Sequence, residues 1–412
     1  MKKCFLLLIA FVFIISSCLD KTATPDDNKF IQLDEKSAQL IEADNKFGLE
    51  LFQKVNASSE EENIMISPLS ISVALAMAYN GADGDTKTEM EQTLKLFGLT
   101  TEEINASYEF LISALKSLDE DVVFEIANAV FYDEGFPVKN DFVQVLQEVY
   151  DAEVSEIDFA LPASLDAINN WVAEKTHDKI PTILDQLNPL DVMVLLNAIY
   201  FNGIWKTEFN EDGTHDLSFY KSDGTTTVIP MMNKEDSVAY VANDLFKAVK
   251  MPYGNGQYNM VVFLPEEGKT SEDVIESFSA DNWEQWMESF EIHGHVVITM
   301  PRFKYSFEIQ LNDVLAEMGM VKAFSDTEAD FSKISDIFIY ISSVIHKSFI
   351  DVNETGTEAA AVTAVTFTVT SAGPNGPEKI HFTVDKPFVY AITEEDTGAI
   401  LFIGEVKNPE YN

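Results

Sequence analysis

The sequence predicts an α+β protein built as one large domain. Helix-like segments concentrate in the first half of the 412-residue chain and strand-like segments in the second half. This segregation is typical of α+β folds rather than of folds in which helices and strands alternate. About 46% of the residues are hydrophobic, which is enough for a large core. No linker rich in proline, glycine or serine divides the chain after about residue 37, so residues 37–412 are predicted to form a single domain.

The first 17 residues have the composition of a signal peptide. Lys2 and Lys3 precede an 11-residue apolar run, Phe5–Ile15, which is too short to span a bilayer as a helix. Cys18 follows a short sequence that resembles a bacterial lipoprotein processing site, although an ordinary secretory peptide with a chance cysteine is the alternative. With acyl chains on Cys18, the protein would be exported and anchored to a bacterial membrane (periplasmic or at the cell surface) or be extracellular.

Removal of the signal peptide leaves a polar, strongly acidic chain. Residues 18–36 are predicted to be a flexible tether, and the loss of Lys2 and Lys3 changes the formal charge from −42 to −44. Such a charge repels nucleic acids, sulfated polysaccharides and anionic lipid heads. Cys4 is removed and Cys18 is modified, so the folded domain has no free thiol, no disulfide and no cysteine metal site.

Helix starts and strand-like runs follow in order along the domain. Ser37 is predicted to cap the first helix, and Ser67-Pro68 to begin another, because proline is tolerated in the first turn. Strands are predicted over apolar, β-branched runs. These runs are Val122–Phe131, Val192–Phe201, Asn259–Leu264, Val296–Met300 and Ile339–Val352.

The segment from Glu354 to Ser371 is the most unusual part of the sequence. The 19 residues from Ala359 to Pro377 carry no charge, although the protein is acidic. Most are small or β-branched, which favours a strand. In an extended chain Thr357 and every second residue up to Val369 would share an uncharged face, with Glu358 on the opposite face. The segment is therefore predicted to be able to enter a sheet.

This segment resembles the hinge and reactive loop of the serpins, and the resemblance extends over almost the whole mature chain. Four blocks carry it in the family's order and spacing. They are the loop itself, Asn63–Thr86, Leu195–Trp205 and Phe382–Tyr390. The resemblance implies the serpin fold, with three β-sheets, eight or nine helices and an exposed loop at about residues 354–381. It also implies that Asn169–Ile180 contains a helix lying across the main sheet.

The resemblance assigns roles to residues of the loop. The hinge would consist of Glu354, Gly356, Thr357, Glu358, Ala359, Ala360 and Ala361. The family's nearly fixed count from the hinge glutamate places the reactive bond between Thr370 and Ser371. Cleavage there would free an arm, from Gly356 onward, to insert as a new strand. Small residues at the start of the arm would allow quick insertion, and Gly356 would supply flexibility.

Two further groups are implied around the main sheet. Ser67, Ser70, Asn197 and His346 would form the polar group called the shutter, where strands part; a core histidine without a switching role is the alternative. Arg302, the only arginine in the chain, would pair with Glu354 in the region called the breach, with Trp205 nearby. A surface cation is the alternative for Arg302.

No catalytic or metal-binding constellation is visible in the sequence. It contains six histidines, no nucleophile elbow and no phosphate-binding glycine loop. His293 and His295 have the spacing of two ligands on one strand, but two ligands are weak evidence for a metal site, and exposed strand histidines are the favoured interpretation. We therefore expect no enzyme, no cofactor and no metal site.

The resemblance implies an irreversible suicide-substrate inhibitor of serine, or some cysteine, proteases. The uncharged arm favours elastase-like or subtilisin-like targets over trypsin-like ones. The alternative is a non-inhibitory serpin that acts as a binding or carrier protein. We expect a monomer whose partners are a target protease, held covalently, and the membrane through Cys18. No nucleic-acid partner is expected, nor activation by glycosaminoglycans, because Thr101–Leu118 offers only Lys116 as a cation.

Overall fold

The computed structural model describes residues 30–188, 191–358 and 378–411. In these ranges the chain forms nine α-helices, two 3-10 turns and fifteen strands. The helices are α1 (Glu35–Ser58), α2 (Pro68–Gly81), α3 (Gly84–Thr93), α4 (Thr101–Leu115), α5 (Asn140–Val149), α6 (Pro162–Lys175), α7 (Ser271–Glu276), α8 (Ala280–Glu288) and α9 (Asn312–Glu317). The 3-10 turns are Glu211–Gly213 and Lys322–Phe324.

The strands lie mainly in the second half of the chain, as the sequence predicts. They are β1 (Asn63–Ile66), β2 (Val122–Asp133), β3 (Glu153–Ile157), β4 (Met193–Ile204), β5 (His215–Tyr220), β6 (Thr226–Ala242), β7 (Phe246–Pro252), β8 (Tyr258–Pro265), β9 (Glu291–Pro301), β10 (Phe303–Gln310), β11 (Ile345–Val352), β12 (Gly356–Thr357), β13 (Ile380–Thr383), β14 (Phe388–Glu394) and β15 (Ile400–Val406). The α+β class is confirmed.

The strands described form two hydrogen-bonded sheets. One has six strands in the order β10-β11-β12-β4-β2-β3, and the other follows the path β1-β15-β14-β8-β7-β6-β9-β13, with β5 paired to β6. The family resemblance implied three sheets. Two of these three sheets are joined into one here by β6. This strand is 17 residues long, pairs with β7 at one end and pairs with β9 over Met231–Tyr240.

The core has two parts. The larger lies among the helices and both sheets, and includes fully buried β8 and the buried faces of α1 and α2. A smaller cluster lies between α6 and the six-stranded sheet, where Ile168, Trp171 and Val172 pack with Phe131 of β2. Helix α6 therefore lies across one face of this sheet, as the resemblance implied.

Three local predictions are corrected by the structure. Asp34, not Ser37, caps α1: its carboxylate accepts a hydrogen bond from the Ser37 amide at 2.7 Å. The run Ile339–Val352 is a strand only from Ile345 onward. Helix α6 ends at Lys175 rather than near Ile180, because His177 and Asp178 adopt φ angles of 50° and 62°, which a right-handed helix cannot accommodate.

Candidate functional site

The predicted hinge begins inside the six-stranded sheet. Strand β12, Gly356–Thr357, lies between β11 and β4 and pairs with both: Thr357 with Val352, and Gly356 with Ile204. The sequence predicted that the arm enters the sheet only after cleavage. For residues 356–357 this was wrong, because the sheet already holds them in the uncut chain.

Gly356 is required here by close packing. A Cβ atom added to it would lie 2.0 Å from the carbonyl oxygen of Gly203 and 2.9 Å from the Cα of Ile204, distances that real contacts do not reach. The φ angle of Gly356 is not in the left-handed region. Gly356 was predicted to supply flexibility, whereas in the structure a glycine is needed there because two backbones approach closely.

Thr357 is buried, with 2% of its surface exposed. Its hydroxyl lies 2.6 Å from the Tyr253 hydroxyl, so the polar atom that enters the sheet keeps a hydrogen bond. Tyr253 in turn stacks on Trp205, with ring centroids 4.3 Å apart and an interplanar angle of 11°. The buried side chain of Thr357 thus contacts Tyr253, which packs on Trp205 at the end of β4.

Arg302 and Glu354 meet as the sequence predicted. Nε and Nη2 of Arg302 donate to the same carboxylate oxygen of Glu354, at 2.8 and 2.6 Å, and the Thr214 hydroxyl also contacts that oxygen. The side chain of Glu354 is 4% exposed and that of Arg302 is 26% exposed. The pair is therefore largely buried, and Arg302 is not a free surface cation.

Trp205 joins the hinge to the end of β4. Its indole nitrogen donates to the Asn353 carbonyl at 2.9 Å, and its backbone amide donates to the Thr355 carbonyl at 2.9 Å. The Asn353 side-chain oxygen accepts from the amides of Thr355 and Gly356. Asn353 and Thr355, which precede β12, are thus fixed by hydrogen bonds that hold the hinge at the end of β4.

The four predicted shutter residues lie together. The Ser67 amide donates to Nε2 of His346 at 3.1 Å, and the Ser70 hydroxyl donates to the side chain of Asn197. His346 belongs to β11 and Asn197 to β4, and these strands are joined only through β12 in the described part of the chain. The start of α2 therefore bridges two strands that are not paired directly.

Burial keeps His346 neutral. The residue is 6% exposed, and burial lowers the pKa of its imidazole to about 4. Because Nε2 accepts a hydrogen bond from Ser67, the ring proton is assigned to Nδ1. The sequence analysis missed one member of this group: Asn128 of β2 accepts from Asn197 at 2.6 Å and donates to the Tyr150 carbonyl at 2.7 Å.

Lys234 is a second residue that the sequence analysis missed. Its ammonium group is buried beside the breach, donates to the Thr207 carbonyl at 2.6 Å and lies 4.6 Å from the centre of the Phe209 ring. Burial lowers its pKa to about 8, although nearby Asp236 opposes the shift. Strand alternation could have indicated that Lys234 is buried, since it lies on the same face of β6 as buried Met232.

Several predicted sites lie outside the described residues. These are the hinge alanines Ala359, Ala360 and Ala361, the reactive bond Thr370–Ser371 and the lipidation residue Cys18. Within the described ranges, no helix is long and apolar enough to cross a membrane. In the same ranges no group of three or more potential ligands is arranged to hold a metal ion; His295 contacts Glu235 at 2.9 Å, and His293 contacts the Tyr240 ring.

Comparison with known proteins decides the family. The family model for serpins, described as serine protease inhibitors, matches residues 42–409. The chain belongs to the serpin family. The family is described as one of protease inhibitors rather than of catalysts.

Relatives of this serpin include an elastase inhibitor and a thyroxine-binding protein. It is 34% identical to leukocyte elastase inhibitor A of Mus musculus, covering 90% of this chain and 100% of that one. Tengpin, a thermophilic serpin solved in its native state, is 33% identical with a TM-score of 0.82, covering 92% and 96%. Human thyroxine-binding globulin, solved with thyroxine, is 28% identical with a TM-score of 0.81, covering 91% and 100%.

Proposed function

We propose that this serpin is an irreversible suicide-substrate inhibitor of serine proteases. Cysteine proteases, which also form an acyl-enzyme, are a second class of target for the same mechanism. The observation that supports it most directly is the position of β12 between β4 and β11. An arm whose first two residues already pair with both neighbours needs no further nucleation. The remaining arm extends that pairing once it is cut free.

The chemical step belongs to the protease. Its nucleophile attacks the Thr370 carbonyl, the amide bond to Ser371 breaks, the new amine takes a proton, and the Thr370 acyl group stays on the protease. Insertion then carries the attached protease along the sheet and distorts its active site before water can release it. Deacylation depends on ordered catalytic geometry, so distortion leaves a covalent complex.

A small cavity, large enough for one water molecule, lies beside the hinge. This cavity of about 20 Å³ continues from Thr357, and its lining includes Tyr200 of β4 and Phe349 and Ile350 of β11. It is bounded on one side by the segment after α6, through Thr176 and Ile180. We infer that these two strands separate further here, below the point where β12 already holds them apart.

The target class follows from the composition of the arm. No lysine or arginine occurs between Glu358 and Lys379, which disfavours proteases that require a basic residue before the cut. Elastase-like and subtilisin-like proteases accept small and β-branched residues such as Thr370. The similarity to a leukocyte elastase inhibitor supports the same choice.

A non-inhibitory binding protein is the second candidate. The similarity to thyroxine-binding globulin solved with thyroxine favours it, since a related serpin fold there holds a small ligand. Against it stands the intact hinge sequence from Gly356 to Ala360, which inhibitory serpins keep and non-inhibitory serpins commonly lose. We therefore place inhibition first.

Complex formation with a neutrophil-elastase-like protease separates the two candidates. We expect a complex that survives boiling in SDS, and mass spectrometry of the released fragment should locate the cut at Thr370–Ser371 or within two residues of it. Cleaved serpin beside fully active protease would support the binding protein instead.

A substitution at the hinge tests the insertion step. Thr357→Arg forces a long cation into a site that is 2% exposed, so the variant should become a substrate that is cut without trapping the protease. Thr226→Arg makes the same change at an exposed position of β6 and should inhibit like the parent protein. Full inhibition by Thr357→Arg would refute insertion.

We also propose that Cys18 carries the lipid that attaches this serpin to a bacterial membrane. A thioether-linked lipid with further acylation would hold the protein stably, as one acyl chain alone does not. Cys18→Ser should move the protein from the membrane fraction to the soluble fraction and abolish fatty-acid labelling. Unchanged fractionation would contradict the anchor.

A further inference from the structure

Glu358, the residue directly after β12, is folded into the sheet rather than pointed into solvent. Its φ angle is 60°, an uncommon value for a residue with a side chain. Its amide donates to the Asp351 carbonyl at 2.7 Å, and its carbonyl accepts from the Asn202 side chain at 3.0 Å. Contacts from β11 and from β4 therefore hold its backbone on both sides.

The carboxylate of Glu358 is buried without adequate compensation. Its side chain is only 3% exposed, and Oε2 has no hydrogen-bond partner. The nearest cation is Lys179 Nζ, at 3.8 Å from Oε2, and this ammonium group also lies over the Phe349 ring. A charged carboxylate in such a place loses hydration that one distant cation does not replace.

Three further groups face this carboxylate. Tyr200 of β4 presents its hydroxyl, and Asp351 of β11 adds a second negative charge. His177, in the segment after α6, is engaged by Glu125 of β2 at 2.8 Å and packs on the Tyr200 ring. The surroundings of the Glu358 carboxylate therefore contain one other carboxylate and one phenol, and the cations nearby are Lys179 and a histidine that Glu125 already engages.

We propose that Glu358 is a protonation-controlled latch of the hinge, which stays docked between β4 and β11 when the carboxyl is neutral and is released when it ionises. This proposal rests on the proposed inhibitory function. The latch would regulate that function, because it sets how firmly the hinge is held in the sheet when a protease attacks. Lys179 is its positioning partner, since among the described lysine and arginine side chains it is the one within 4 Å of this carboxylate.

The direction of the pH effect follows from linkage. Burial raises the pKa of Glu358 to about 7, with Lys179 opposing the shift, whereas an exposed glutamate titrates near 4.5. Docking is therefore strongest below pH 4.5. It weakens about tenfold for each pH unit up to about 7 and is constant above that. At about pH 7 and above, the contribution of the neutral Glu358 carboxyl to docking is therefore lost, and the remaining contacts of β12 alone hold the hinge.

A single introduced thiol measures docking without a protease. The only cysteines of the chain are Cys4 and Cys18, so the full chain with both changed to serine offers no other thiol. Thr357→Cys then places a probe at a buried hinge position. Its labelling rate, divided by that of a free thiol at the same pH, should rise about fortyfold from pH 5 to pH 7.

The matched control carries Glu358→Gln, which keeps the shape but cannot ionise. In that background the normalised labelling rate should change less than threefold over the same range. Lys179→Met removes the partner cation and should increase labelling further at pH 7. Parallel profiles for the glutamate and glutamine proteins would overturn the latch.

Hydrogen exchange tests the latch in the protein without an added cysteine. Protection of the Glu358 amide, corrected for intrinsic exchange, should fall between pH 5 and pH 7 and should stay constant in Glu358→Gln. Constant protection in both proteins would refute the proposal even if Thr357→Cys had disturbed the hinge. Neither measurement needs a target protease, so failure of the latch and failure of protease inhibition are separate results.

Discussion

Arg302 illustrates how one residue can hold a carboxylate in a site closed to water. Its Nε and Nη2 atoms both donate to one oxygen of Glu354, and the Glu354 side chain is 4% exposed. A lysine would supply the charge at a single point, whereas the guanidinium supplies two fixed donors. The pair therefore depends on residue type as well as on charge.

Replacing Arg302 should destabilise the protein in graded steps. We expect Arg302→Ala to reduce the free energy of unfolding by about 2–3 kcal/mol, because Glu354 then stays buried without a cation. Arg302→Lys should lose about 1 kcal/mol. Urea denaturation measures both. Lys46→Ala, which removes an exposed helical pair with Glu42, is the control and should lose less than about 0.5 kcal/mol; an equal loss in Arg302→Ala would contradict the buried pair.

His346 should make stability fall in acid. Its pKa is about 4 in the folded protein against 6.5 for a free imidazole, so its contribution is fully present above pH 6.5 and is lost as pH falls toward 4. The full effect is about 3 kcal/mol. His346→Gln should flatten the difference in unfolding free energy between pH 6.5 and pH 4 by that amount. Identical pH profiles for the two proteins would show that the imidazole is not held neutral.

At the scale of elements, β12 is the shortest of the described strands, and its backbone lies very close to that of β4. Gly356→Ala introduces a Cβ 2.0 Å from the Gly203 carbonyl, so the hinge must leave the sheet or push β4 aside. We expect amide exchange at residues 356–358 to rise at least about tenfold, equivalent to about 1.4 kcal/mol of lost docking. Gly294→Ala on β9, where nothing lies within 4 Å, is the matched control. Unchanged exchange in Gly356→Ala would mean that the gap is wider than its contacts suggest.

The sequence predicted most elements because apolar runs and buried strands coincide. β2, β4 and β8 were found within a few residues of their ends. The run Ile339–Val352 failed at its start because an apolar pattern does not specify a partner. The run pairs with β10 only as far as Gln310, which faces Ile345; before that point the Ile341 amide bonds to the Ala323 carbonyl of a 3-10 turn.

The candidate site was predictable to a different degree for each group. The shutter and breach residues came from motif resemblance, and the structure brings both groups together. Asn128 and Lys234 were missed because each is brought to its site by a strand distant in sequence. Glu358 was expected on the face opposite Thr357, but its burial depends on the segment after α6, which strand alternation cannot anticipate.

At the scale of the whole molecule, the important feature is the place between β4 and β11, where the described chain contributes only the two residues of β12. β4 and β11 are separated by a strand of two residues, and the uncharged arm that could extend it follows directly in sequence. A dozen added backbone hydrogen bonds at about 0.5–1.5 kcal/mol each would contribute roughly 10 kcal/mol before ordering costs. That gross term is comparable with the entire stability of a typical domain.

Cutting the arm should therefore make the protein more resistant to heat. After limited cleavage near Thr370 we expect the melting temperature to rise by about 10 °C or more, because the freed residues complete the pairing between β4 and β11. Differential scanning calorimetry of cut and uncut protein measures the change. Thr357→Arg, cut in the same way, should show little rise because its hinge cannot enter the sheet. If both proteins melt at the same temperature before and after the cut, then the uncut fold stores no energy that insertion could release.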